Sequence, residues 1–257
     1  MDKMLIKTIG YAFLLVLCVT GGVARAAEIK VLASGAFRAA YLALLPGFEK
    51  ATGHKVITTS GGSMGSAPTT IPNRMRRGEV YDLVIMASEG LDELAREGYI
   101  VVDSRTGLAR STIGVAVRAG APKPGIATPD DVKRMLLNAK SVAFSSSASG
   151  VYLTGLFERM GIGAEMKAKS KQVSGEPVAA VVARGEAEIG FQQISEILPV
   201  KGVDLVGPLP DEIQEVTIFA AGITANASQS AAAHELIRYL AAPANAGAIR
   251  RSGMSSL

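Results

Sequence analysis

The sequence is short of the residues that most enzyme chemistry draws on. Among its 257 residues are one cysteine and two histidines. The cysteine, Cys18, lies within a leader. Lys3 and Lys7 precede an apolar run over residues 12–19, and Ala24-Arg25-Ala26 offers a small-x-small cleavage site before Ala27. This is the pattern of a cleavable secretory signal over residues 1–26, with an apolar core too short to cross a bilayer. The residue before Cys18 is Leu17, where a lipoprotein signal calls for a small one, so a soluble protein exported to the periplasm is expected. Cleavage leaves no thiol and no disulfide.

The two histidines, His54 and His234, read as surface residues. They are too few for a histidine metal site, and no Ser-His-Asp or Cys-His arrangement can be assembled around them. No metal and no organic cofactor are expected. The net charge of +4 includes Lys3, Lys7, Arg25 and Asp2, and loss of the leader lowers it by two. That small excess gives no support to nucleic-acid binding. No later stretch approaches the length of a membrane span, and there is neither an internal repeat nor a low-complexity linker.

What the sequence does hold is serine and glycine at the ends of strands. In Phe144-Ser-Ser-Ser-Ala-Ser-Gly-Val-Tyr152 an apolar run over residues 141–144 stops in a polar loop and feeds a helical pattern over residues 151–160. Such a junction presents unpaired backbone N–H groups and a positive helix end, and the guest it suits is an anion. Three more junctions resemble it: Leu32-Ala-Ser-Gly-Ala36, Thr59-Ser-Gly-Gly-Ser-Met-Gly-Ser66 and Gln172-Val-Ser-Gly-Glu-Pro177. Each alone is ordinary turn and cap chemistry. As a set, two in each half of the chain, they predict four helix N-termini converging on one site.

The pattern from Glu28 alternates strand and helix: strands over 29–33, 55–59 and 82–86, helices over 37–50 and 89–97. That order predicts a mainly parallel sheet covered on both faces. Over 100–117 the rhythm changes to two strand-like runs around a polar segment, 103–112, read as a crossing. Thr128-Pro-Asp-Asp131 is a clear helix start. Strands over 141–144, 189–192 and 203–206 build a second α/β unit, and 216–224 leads back toward a last helix over 228–240. The expected architecture is two α/β lobes, each a mixed, mainly parallel sheet flanked by helices, joined by two hinge crossings. Lobe 1 takes residues 27–108 and 223–257, and lobe 2 takes 109–222.

The chain resembles the molybdate-binding members of the type II periplasmic solute-binding proteins. The likeness rests on Val31-Leu-Ala33, Phe48-Glu-Lys-Ala-Thr-Gly-His-Lys-Val56, Asp82-Leu-Val-Ile85, Ser149-Gly-Val-Tyr152, and Val182-Ala-Arg-Gly-Glu186 followed by Ile189-Gly190. The resemblance implies a bilobal type II binding-protein fold closing over a small anion, and for a receptor of that kind an ABC permease as partner and a monomeric state. It implies ligand contacts at Ser63, with Met64 beside it, at Ser149 and near Gly175. Where the family commonly has a serine after the first strand, this sequence has Ala36 beside Ser34 and Gly35. Its pocket tyrosine falls at Gln193. These departures move the expected ligand from molybdate toward an organic polycarboxylate, for which Gln192 and Gln193 supply amide donors and Arg38 a bidentate partner. Gly150 and Tyr152 join the candidate set from the central loop. Glu176 joins it as a candidate base, although an acid at a helix start is also ordinary dipole complementation. Arg74, Arg76 and Arg77 read as a solvated face.

Two functions follow. The first is an exported solute-binding protein that captures a small anion for an ABC transporter. The second is an aconitate isomerase on the same scaffold. Gly190-Phe-Gln-Gln-Ile-Ser-Glu196 and Ala148-Ser-Gly-Val-Tyr152 resemble that subgroup, which would move a proton along an allylic framework without a metal or organic cofactor.

Overall fold

A computed structural model describes residues 26–257. The expected leader, Cys18 included, lies outside the described residues except for Ala26. β1 (Glu28–Ser34) places Ile29, Val31 and Ala33 on one face and Leu32 on the other. β2 (Lys55–Gly61) and β3 (Leu83–Ala87) run parallel to it on either side. Leu83 and Ile85 of β3 share the first face, and Val84 and Met86 share the second. This period-two alternation of apolar residues is what a sheet buried on both faces requires.

α1 (Gly35–Thr52) covers the first face with Phe37, Tyr41, Leu44 and Phe48. Each of its aromatic rings taken out of water contributes roughly 2–3 kcal/mol. The helix stops where Gly53 takes φ +73° and donates its N–H to Glu49 O at 2.9 Å, a left-handed cap that glycine adopts without strain. α2 (Ile71–Arg76) and α3 (Ser88–Arg96) cover the second face through Ile71, Met75, Leu91 and Leu94.

The chain then enters β4 (Thr106–Arg118), whose first half pairs antiparallel with β9 (Val216–Ile223), itself antiparallel to β3. The second half of β4 pairs antiparallel with β7 (Ile189–Gln193) and β8 (Val203–Pro208). Beyond β7 lie β5 (Val142–Ser145) and β6 (Ser170–Val173), both parallel, giving the order β2-β1-β3-β9-β4-β7-β5-β6. Each half thus has three parallel strands, while the shared strands run antiparallel.

The expected crossing over 103–112 is therefore mostly strand. Its polar side chains do not interrupt pairing, because the backbone of Thr106 to Thr112 bonds to β9. The run at Ile100 forms only an isolated bridge to Thr224, followed by a 3₁₀ turn, Val102–Ser104.

Helices α4 (Pro129–Asn138), α5 (Ala148–Arg159) and α6 (Gly163–Lys169) enclose the second core with β5 and β7, Phe144 meeting Phe157 edge-on at 5.6 Å. Thr128 caps α4 reciprocally: its Oγ1 accepts from Asp131 N at 3.2 Å, and Asp131 Oδ2 accepts from Thr128 N at 3.2 Å. Lys169, the last residue of α6, donates to Leu137 O and Ala139 O and so closes the C-terminal end of α4. α7 (Val178–Ala183) and α8 (Ile194–Ile197) cover the opposite face.

α9 (Ser230–Ala241) and α10 (Ala246–Arg251) return to the first core, and β10 (Ser255–Ser256) pairs with β4. The apolar clusters change over between Ala109 and Ile113 on β4, and between Leu209 and Phe219 on the return. Among the described residues no helix is long and apolar enough to cross a membrane.

Candidate functional site

The turns that follow β1, β2, β5, β6 and β7 open on one cleft of about 380 Å³. A crevice at the carboxyl ends of parallel strands is where open α/β sheets bind ligands. Ser34, Gly35, Ala36 and Arg38 come from the start of α1, Ser63 from the second turn, Ser149 from α5, and Gly175 and Glu176 from the turn before α7. Gln192 and Gln193 come from β7. The Ser/Gly turns of the two halves also touch each other. Met64 N donates to Ser147 Oγ at 3.4 Å, and a Cβ at Gly65, where φ is +101°, would strike Ser146 O.

Three expected residues do not line this cleft. Met64 and Tyr152 border a neighbouring depression of about 300 Å³. Tyr152 OH donates to Ile213 O at 2.9 Å, and Arg159 lies over its ring, so both polar edge and face are engaged. Gly150 packs so closely under its loop that a Cβ would overlap Ser145 O, which makes it a packing residue of the turn. The four expected helix N-termini also reduce to two of substance. α1 and α5 have 18 and 12 residues, whereas α2 and α7 have six each, too short for a sizeable dipole.

Polar groups on the cleft wall are left unspent by the fold. Ser34 caps α1 without a side-chain hydrogen bond. Ser63 Oγ accepts from Ala87 N at 3.0 Å, which leaves its own hydrogen to donate. Thr70 Oγ1 is buried without a partner. Gln193 Nε2 donates to Thr217 Oγ1 at 2.9 Å, while its buried Oε1 has no partner. Unpaired buried polar atoms of this kind cost about 1–3 kcal/mol each unless a ligand or water meets them.

The charged groups sort themselves by their partners. Arg38 Nη1 donates to Ser60 Oγ at 2.8 Å and pairs with no carboxylate among the described residues. Arg74 also lines the cleft, held by Glu79 at 2.8 Å, which raises its pKa further. Arg76 and Arg77 pair instead with Glu93, Glu97 and Glu79 on the exposed surface. Glu176 receives two bonds from Arg184, at 2.8 and 3.0 Å, and this guanidinium lowers its pKa. A carboxylate so held is a poor base. His54 is buried, contrary to the surface reading. Its Nδ1 accepts from Ala27 N at 3.0 Å and its Nε2 faces Glu235 at 3.4 Å, because it fills the gap between the segment leading into β1 and α9. His234 is exposed.

Glu196, absent from the residues expected at the site, also lines the cleft. Its carboxyl stands against Gly35 and has no ion-pair partner among the described residues. Burial pushes its pKa up to about 7, opposed by a hydrogen bond from Gln192. Gln192 is itself oriented by Oε1, which accepts from Ala179 N at 3.4 Å. The sequence signal was present in Gly190-Phe-Gln-Gln-Ile-Ser-Glu196. An acid three residues past a buried strand reads as solvated until the fold turns it inward. Ser60 and Ser145 to Ser147, which lie in the predicted junctions but outside the candidate set, also line the wall, as does Thr70. Among the described residues no group of three His, Cys, Asp or Glu is placed to hold a metal ion. The arrangement can hold an anion by neutral donors and guanidinium groups, with a protonatable carboxyl beside it.

Comparison with known proteins identifies the family and the fold. A family model described as bacterial extracellular solute-binding protein matches residues 29–255. An aconitate isomerase from a Pseudomonas species is 44% identical over 227 residues, 88% of this chain and 87% of that one. A molybdate-binding protein from Azotobacter vinelandii is 30% identical over 241 residues, 90% of each chain. The solved periplasmic molybdate-binding protein of A. vinelandii superposes with a TM-score of 0.73 at 22% identity, covering 88% of this chain and 98% of that one.

Proposed function

Because the chain belongs to the bacterial extracellular solute-binding protein family, we propose that its cleft takes up a small polycarboxylate and interconverts cis- and trans-aconitate. The observation that carries this reading is the chemistry of the wall. Arg38 and Arg74 stand with the Gln192 and Gln193 amides around a space of about 380 Å³. That is within the range of small organic ligands. A guanidinium takes a carboxylate bidentately, and side-chain amides add donors at other carboxylates. The 44% identity to an aconitate isomerase over 88% of the chain supports the same choice.

The reaction moves one hydrogen between the two arms of the tricarboxylate through an intermediate whose charge spreads onto the carboxylates. Ser34, Ser63 and Ser149, with the N–H groups opening α1 and α5, are the donors proposed to meet that charge as it develops. Arg38 holds one end fixed, so that only the reacting arm changes geometry. The reaction is proposed for the periplasm, following the expected leader.

A second reading, capture of an anion for an ABC transporter, is favoured by the 30% identity to a molybdate-binding protein over 90% of the chain. One experiment separates the two. Purified protein from residue 27 onward is mixed with trans-aconitate and the cis/trans ratio followed by chromatography, with citrate and molybdate run as melting-shift ligands. Multiple turnovers are the expected result. A melting shift with aconitate unchanged would favour the receptor, and a shift with molybdate alone would overturn the polycarboxylate reading.

A further inference from the structure

Proton transfer between carbons needs a group that is basic enough to remove a hydrogen and acidic enough to give it back. The cleft offers few. Glu176 is tied to Arg184, the guanidinium groups of Arg38 and Arg74 are donors only, and the hydroxyls are too weakly basic. Tyr152 faces the neighbouring depression, with its hydroxyl given to Ile213 O. His54 fills the gap between Ala27 and α9, with neither ring nitrogen in the cleft, and His234 is on the outer surface of α9. One carboxyl on the wall is left without a fixed ion-pair partner among the described residues: Glu196.

We propose that Glu196 is the catalytic acid and base of this cleft, removing the methylene hydrogen from one arm of bound aconitate and returning it to the other. The inference rests on the isomerase reading above. Its bonds balance without any further reactant. The carboxylate of Glu196 takes the proton as the methylene C–H bond breaks. That electron pair becomes the new double bond to the central carbon, and the former double-bond pair forms a C–H bond with the proton on Glu196. The residue ends as it began. Release with the double bond in the other arm, in either geometry, gives the isomer.

The placement supports the role. Glu196 follows β7 by one turn, and its carboxyl lies against Gly35, where α1 begins. Arg38 stands one turn further along α1, so a carboxylate fixed by Arg38 brings an adjacent carbon toward Glu196. Gln192 neighbours the same carboxyl and opposes the rise in its pKa, and Gln192 is in turn held by Ala179 N. Burial brings the group close to half ionisation at neutral pH, the condition under which one residue serves both directions of transfer.

The test compares wild-type protein with Glu196→Gln and Glu196→Asp. Each is assayed for cis/trans conversion and, in D₂O, for exchange of the methylene hydrogens of aconitate by NMR. The amide keeps the size of the side chain and removes the base, so conversion and exchange are expected to fall about 10²–10⁴-fold while the melting shift with trans-aconitate remains. The aspartate variant keeps the base at a longer reach and is expected to retain part of the turnover. Glu196→Gln with turnover within about tenfold of wild type would overturn the assignment, as would a raised KM with unchanged kcat, which marks a binding contact only. Wild-type exchange without isomerisation, lost in Glu196→Gln, would leave Glu196 as the base and overturn only the isomerase reading. Wild-type protein that neither isomerises nor exchanges would overturn both.

Discussion

Glu196 Oε1 occupies the space into which a Cβ on Gly35 would grow. The first residue of α1 is thus kept without a side chain by the carboxyl across from it, although its backbone is ordinary and alanine would favour the helix. Gly35→Ala is expected to leave the melting temperature unchanged or slightly raised in the absence of ligand. Turnover of aconitate is expected to fall at least about tenfold, because the carboxyl must swing away from its position beside Gln192. Melting curves and initial rates on the same preparation decide it. A variant that is unstable but fully active would show that the contact is only packing.

Holding Glu196 in the cleft makes stability depend on pH. Its pKa in the folded chain is about 7, against 4.5 for the unfolded chain, so the fold favours the protonated form. The folded state therefore binds the extra proton between these values, and stability is lost as pH rises through them. The charged groups sharing the cleft wall are Arg38, Arg74 and Glu176, and Glu196→Gln leaves them in place. The variant is expected to match wild type near pH 4 and to exceed it by about 1–3 kcal/mol near pH 8, allowing for water in the cleft. Urea unfolding at the two pH values measures the difference, and equal curves near pH 8 would count against the raised pKa.

Asp82 is buried at the start of β3 and ties together three parts of the first core. Its Oδ2 accepts from Lys30 N at 2.8 Å. Its Oδ1 accepts from Ser228 N at 2.8 Å, Ser228 Oγ at 3.1 Å and Gln229 N at 2.9 Å. Every partner is a donor, so an amide in its place must turn its own N–H₂ toward an N–H group whichever way it flips. Asp82→Asn is expected to cost about 2–4 kcal/mol of unfolding free energy. The loss is read from denaturant midpoints, and a cost under about 0.5 kcal/mol would show that the staple matters little.

Tyr152→Phe separates the cleft from its neighbour. Ile213 O loses its donor, for which about 1 kcal/mol of stability is expected. The affinity for trans-aconitate is expected to stay within about twofold, since the ring borders the other depression. Calorimetric titration checks this, and a tenfold loss would bring Tyr152 into the ligand site.

Much of the fold was legible because it is written in local patterns: the period-two apolar runs of β1 and β3, the Thr128 cap, Gly53 at the end of α1. The Ser and Gly turns likewise marked the place of the cleft, because they close the carboxyl ends of the strands that line it. Elements whose identity depends on distant partners were not legible. The polar first half of β4 reads as a crossing until β9 supplies its hydrogen bonds. His54 reads as a surface residue until Ala27 and Glu235 close over it. Glu196 failed for the same reason, because its burial is made by α1, more than 150 residues earlier in the chain. Tyr152 differs in the opposite sense: it follows the central loop closely in sequence, yet its helix carries the ring to the neighbouring depression.

The two cores differ in how their residues are strung along the chain. The second is drawn entirely from one unbroken stretch, Ile113 to Leu209. The first joins residues Ile29 to Ala109 with others from Phe219 to Met254. A chain emerging from its N-terminus can therefore complete the inner core while the outer one still lacks β9, α9 and α10. Closing the outer core requires contacts across most of the sequence, which carry the larger loop-closure entropy and form late. The cleft draws its walls from both cores, so it is the last feature to form as the chain folds and the first to be lost when the C-terminal helices detach.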